Sequence, residues 1–155
     1  MMWIENVPAS SIANRMHHDA GPNSMLIQIL DPCSVFPTPK HPFKEIHRFE
    51  FLDIEDSDVE QGHFPAETAI QQEQAEEIAQ LLARAMVSRM NVVVHCHAGL
   101  CRSGAVAEVG VMMGFQDAER TRIPNVRVKN MLLQALNMNF DPNESPLLTG
   151  LDKYK

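Results

Sequence analysis

The sequence predicts an α/β fold: a central, mostly parallel sheet with helices on both faces. Three observations carry this expectation. Two short apolar runs, MLIQIL (25–30) and NVVVHC (91–96), have the length and apolar character of buried strands. A long stretch with apolar residues at helical spacing separates an alternating segment, HRFEFLDI, from the second of these runs. The resulting order of strand, helix, strand and helix implies a right-handed crossover and a sheet covered by helices.

Each element can be justified in turn. The strand over 25–30 stops at Asp31-Pro32, and Pro32, Pro37, Pro39 and Pro42 then punctuate a loop. His47 to Ile54 alternates, with Phe49 and Phe51 on one face and Ile46, Leu52 and Ile54 on the other, which is a strand signal of period two. The acidic segment EDSDVEQGHFP that follows reads as a solvated loop. Ala66 to Met90 places Ile70, Ala75, Ile78, Leu82 and Met86 at helical spacing. Glu67 in its first turn and Arg84 and Arg89 in its last suit the helix dipole. The three valines of NVVVHC predict burial on both faces. Ser103 to Gly114 and, after Pro124-Asn125, Val126 to Leu136 read as helices. The tail from about 137, with Pro142, Pro146 and Gly150, reads as loosely ordered. One domain spanning 1–155 is the expectation for this length.

Composition excludes several classes. Hydrophobic residues make up 45% of the 155, enough for a core. A net charge of −7 argues against nucleic-acid and anionic-membrane partners, although it leaves room for a local basic pocket. Three cysteines, Cys33, Cys96 and Cys101, are odd in number and irregular in spacing, so they make a poor disulfide framework. The start, MMWIENVPASSIANR, lacks a secretory apolar region, and no apolar run reaches the roughly 20 residues that span a bilayer. A reducing, cytoplasmic location is therefore expected. The ten methionines read as core filler. His17-His18-Asp19 and His41 with His47 read as solvated loop.

The chemistry concentrates in VVVHCHAGLCRSG, where a strand turns into a helix. Ligands of open α/β sheets bind at the carboxyl ends of strands. Backbone N–H groups of such a loop can converge on an anion, and the helix start adds positive potential. His97, Ala98, Gly99, Leu100, Cys101, Arg102 and Ser103 would form this cradle, which suits a tetrahedral dianion such as phosphate. In that field Cys96 is expected to ionise near neutrality, since a thiol of pKa about 8.5 can fall to about 3.5–7.5. The planar fork of Arg102, six positions on, can hold two phosphoryl oxygens. Gly99 lets the backbone take a positive φ and approach the ligand. Ser103 can donate to the sulfur, and His95 orients the backbone beside it.

Cys-x5-Arg-Ser after a hydrophobic strand and a His resembles the signature of the cysteine-dependent protein tyrosine phosphatases, and HCHAGLCRSG is most like their dual-specificity branch. The resemblance covers roughly residues 46 to 136, and the order of FLDI, helix, loop and late Pro-Asn helix is similar to small bacterial and phage-type members. Cys101 departs from the pattern, which usually has Ser or another small residue there. The resemblance implies a protein tyrosine phosphatase-like fold and phosphate-monoester hydrolysis through a cysteinyl-phosphate, with a phosphorylated substrate and no metal or other cofactor. It also implies an upstream Asp as general acid. Asp53 and Asp56, 43 and 40 residues before Cys96, are the candidates, with Asp53 slightly favoured and Asp58 third.

Other readings have distinct signatures. A phosphate-binding pseudophosphatase would keep Arg102 and the loop but lack a working acid. The small arsenate reductases carry their loop near the N-terminus, and a rhodanese-like transferase would want fewer residues between Cys and Arg. His95, Cys96, His97 and Cys101 make a poor zinc set, because adjacent side chains diverge. Cys101 is either a tolerated small residue or a resolving thiol for oxidised Cys96.

Overall fold

A computed structural model describes residues 2–137. The tail expected to be loosely ordered from about 137 lies, from 138 onward, outside the described residues. Among the described residues five strands form one sheet: β1 (Trp3–Pro8), β2 (Ser24–Leu30), β3 (Glu45–Glu50), β4 (Asn91–Cys96) and β5 (Gln116–Asp117). Their order is β3-β2-β4-β1-β5, and all four pairings are parallel. The helices are α1 (Ala9–Asn14), α2 (Asp56–Glu60), α3 (Gln72–Val87), α4 (Arg102–Met113) and α5 (Val126–Ala135), with short 3-10 turns at His18–Ala20 and Ala66–Thr68.

The two faces of the sheet follow from side-chain alternation. Met25, Ile27 and Ile29 of β2 and Val92 and Val94 of β4 pack with α3, α4 and α5 into the main core. Leu26, Val93 and Val7 point the other way, against Ile12 of α1, Ala20 and Phe43. All three valines of β4 are fully buried, as a central parallel strand requires. In β3, Phe49 and the following Phe51 enter the main core, while Ile46 on the other face is 41% exposed because β3 is an edge strand. No helix among the described residues is long and apolar enough to cross a membrane.

Several expectations need correction. β1 and α1 carry no clear sequence signal, yet β1 lies beside β4 in the sheet. The alternating segment pairs only over Glu45–Glu50, after which the chain leaves the sheet. The long helix is broken: Ala69 and Ile70 are buried in an extended stretch, and α3 starts after Gln71, whose capping box with Gln74 resets the helix. The acidic segment is not a free loop but contains α2. His17 and His41 are buried rather than solvated. Their rings pack on Phe43 at 6.3 and 4.7 Å between centroids, and His41 Nε2 lies 2.8 Å from the Gly21 carbonyl.

Candidate active site

At the carboxyl end of β4 the chain turns through residues 97–101 into α4. Gly99 has φ +78°, and a Cβ there would lie 2.4 Å from Pro8 N and 2.5 Å from Val7 C. No side chain fits at that distance from backbone. β1 clasps the loop further: Asn6 Nδ2 donates to Gly99 O at 2.8 Å and the Ala9 amide to His97 O at 3.2 Å. On the far side the Ile123 amide donates to Leu100 O, and the Asn125 amide to Cys101 O, both at 3.0 Å. His97 and Ala98 are exposed at the rim, and Leu100 and Cys101 are half-buried.

The Cys96 sulfur lies under this arch, 2% exposed. It is 3.1 Å from the Ser103 hydroxyl, and the Gly99 amide donates to it at 3.3 Å. Burial works against ionisation here. The Ser103 hydroxyl and amide, the Gly99 amide and the Arg102 charge outweigh burial and hold the thiol below its ordinary value. The neighbouring His95 is fully buried and its pKa is pushed down to about 4, chiefly by desolvation and also by Arg102, against a bond from its Nδ1 to Cys96 O. Its ring is therefore neutral, and Nδ1–H donates to that carbonyl at 3.3 Å.

Arg102 opens α4 with its side chain 6% exposed. Its Nη1 donates to Phe51 O at 2.8 Å and to Asp31 Oδ1 at 2.7 Å. Its Nε is buried without a hydrogen-bond partner among the described residues. A buried guanidinium N–H costs free energy until something accepts from it, and a phosphoryl oxygen in the loop would do so.

The three carboxylates singled out in the sequence differ in setting. Asp53 is exposed and accepts from Asn125 Nδ2 at 2.8 Å. It also adjoins the loop: burial first, then the charge of Asp53 and a hydrogen bond to it, push the Cys101 thiol up. Asp56 opens α2, is mostly exposed and pairs with Arg127 Nη1 at 2.6 Å. Asp58 accepts from the Glu55 amide at 2.8 Å and caps α2. The acidic segment is thus docked on α5: Asn125 Nδ2 also donates to Ile54 O, and Glu55 accepts from the Val126 and Arg127 amides. Cys96, Cys101 and Cys33 are free thiols. Among the described residues no three His, Cys, Asp or Glu side chains come together as a metal-holding group.

Two residues of this neighbourhood were not foreseen. Asp31 reads in the sequence only as a strand stop. Its usable signal is an acid at the carboxyl end of a strand that adjoins the loop strand. Asn125 reads as a helix start, which it is, its Oδ1 accepting from the Val128 amide at 2.9 Å. Nothing local reveals that its amide group also reaches Asp53.

No family model matches this sequence, and no curated protein matches it. Solved structures do. Human DUSP28 superposes with a TM-score of 0.50 at 18% identity, over 97% of this chain and 90% of that one. A human tyrosine phosphatase-like serine/threonine/tyrosine-interacting protein gives 0.50 at 15% identity, over 97% and 89%. At these identities the likeness establishes the fold, a parallel sheet flanked by helices as in the dual-specificity-like phosphatases.

Proposed function

We propose that this chain, built on a dual-specificity phosphatase fold, hydrolyses phosphate monoesters through a cysteinyl-phosphate intermediate. The observation that carries the reading is the pairing of a hydrogen-bonded, acidified Cys96 sulfur with a buried Arg102 Nε that lacks an acceptor among the described residues. The Cys96 thiolate attacks phosphorus, the S–P bond forming as the bond to the leaving oxygen breaks. Arg102 and the loop amides take up charge on the equatorial oxygens, so their contacts strengthen in the transition state. Asp53 gives its proton to the leaving oxygen. It then takes a proton from water as that water attacks phosphorus, which releases phosphate and restores the thiolate. Ser103 steadies the departing sulfur.

Asp53 is preferred over Asp56 because Asp53 adjoins the loop at Cys101, whereas Asp56 is held by Arg127. The substrate is a phosphoprotein or a small phosphate ester, and a reducing compartment such as the cytoplasm keeps Cys96 usable. The test is turnover of p-nitrophenyl phosphate by the wild type, Cys96→Ser, Asp53→Asn and Asp56→Asn. Cys96→Ser should abolish turnover. Asp53→Asn should lower kcat by a factor on the order of 100 or more, and Asp56→Asn by less than about twofold. The name of the second structural neighbour describes a phosphatase-like interacting protein. Tight vanadate binding without turnover would make this chain a binding-only module and overturn catalysis.

A further inference from the structure

We propose that Asp31 is a positioning residue that clamps one corner of Arg102 so that the opposite edge faces the anion. The inference rests on the phosphate reading of the loop. Both acceptors of Arg102, Asp31 Oδ1 at 2.7 Å and Phe51 O at 2.8 Å, lie on the same nitrogen, Nη1. The guanidinium has five N–H donors in a planar fork, and Nε–H points along the same edge as Nη2. That edge is free: Nε is buried with no partner among the described residues, and Nη2 has no hydrogen bond to them. Asp31 therefore does not occupy the edge that a phosphoryl group would grip. It fixes the fork's rotation from behind.

The backbone that carries this carboxylate is itself held. Residues 31–34 make a turn closed by the Ser34 amide on Asp31 O at 3.2 Å. Within it Cys33 takes φ +67°, and its amide donates to Glu50 Oε1 of β3 at 2.8 Å. β2 and β3, adjacent in the sheet, thus place an anchored acid over the buried base of α4. A carboxylate 55% exposed beside a guanidinium 6% exposed leaves the charge pair wet on one side only. The arrangement preorganises Arg102 before any ligand arrives, which removes an ordering cost from binding and from the transition state.

The test compares wild type, Asp31→Ala, Asp31→Asn and Arg102→Lys with the Asp31→Ala/Arg102→Lys double variant. Two readouts are needed: vanadate affinity, measured as protection of Cys96 from iodoacetamide, and kcat and KM on p-nitrophenyl phosphate. Asp31→Ala should weaken vanadate and lower kcat/KM by about tenfold each, the scale of one partly exposed charge-assisted hydrogen bond. Asp31→Asn, which keeps an acceptor, should recover most of the loss. In the Arg102→Lys background, where there is no fork to orient, Asp31→Ala should change either quantity by less than about twofold. Tighter vanadate binding by Asp31→Ala would make Asp31 a competitor and overturn the proposal. An equal loss in both backgrounds would overturn it too, as damage unrelated to Arg102. If wild type fails to bind vanadate at all, the phosphate reading falls and this inference with it. If wild type binds vanadate and Asp31→Ala matches it, only this inference falls.

Discussion

His95 makes folding stability depend on pH in a way that can be isolated. Its pKa in the fold is about 4 against 6.5 for a free histidine, because burial and the Arg102 charge oppose protonation. Between these values the unfolded chain binds a proton that the folded chain does not, so stability rises with pH there and is lost as pH falls below 6.5. Two and a half pH units at about 1.4 kcal/mol each give about 3.5 kcal/mol, most of it lost by pH 4 and the rest just below. Roughly 2 kcal/mol of it disappears between pH 7 and 5. Replacing His95 with Asn removes the titrating group and keeps a side chain that can donate to Cys96 O. Urea unfolding of both proteins at half-unit steps from pH 7 to 5 isolates the effect. His17, also buried and also shifted down, is present in both and cancels. The wild type should lose about 2 kcal/mol more than His95→Asn over this range. Parallel lines would mean that the folded imidazole is hydrated or protonated, and the account of the loop's interior would be wrong.

Three further outcomes are expected. The pH midpoint of Cys96 alkylation by iodoacetamide should lie below that of an ordinary thiol, and Ser103→Ala should raise it; an unchanged midpoint would remove the hydroxyl from the account. Gly99→Ala should cost more than about 3 kcal/mol in chemical denaturation, since its Cβ would meet the Val7–Pro8 backbone at 2.4–2.8 Å. Normal stability with normal vanadate binding would refute that contact. Glu45 has its carboxyl lowered to about 2 by its hydrogen bond to Arg84, with help from His47. Glu45→Gln should therefore destabilise by under about 1 kcal/mol at pH 7, Arg84 being half exposed, with the cost fading from about pH 4.5 down to 2. A cost that is the same at pH 2 and 7 would show that it is not electrostatic.

The parts of this molecule that could be read from sequence are those whose cause is local. The three valines of β4 announce a buried parallel strand. The loop after them announces itself through residue types at fixed offsets, because the proposed nucleophile, fork and hydroxyl around one anion need that spacing. β1 gave no such warning: Glu5, Asn6 and Pro8 interrupt its apolar period, and Asn6 is buried for a bond to Gly99 rather than for packing. β5 has two residues and exists only because β1 offers an edge. The settings of Asp31, Asp53 and Asp56 depend on Arg102, Asn125 and Arg127, partners 71 or 72 residues away, and no periodicity records contacts across such a distance.

The clasp between β1 and the loop has a consequence for assembly. Asn6 and Gly99 are 93 residues apart, and β1 enters the sheet by pairing with β4 rather than with a sequence neighbour. Contacts at this separation pay their closure entropy before they return any stabilisation. As the chain is made, β1 must therefore wait, unpaired by β4, until residues 91–96 exist. Only when that strand docks is the turn below it held shut. The sulfur's acidity is thus a late product of folding, so a chain in which β1 has yet to dock carries an ordinary thiol in place of a reactive one.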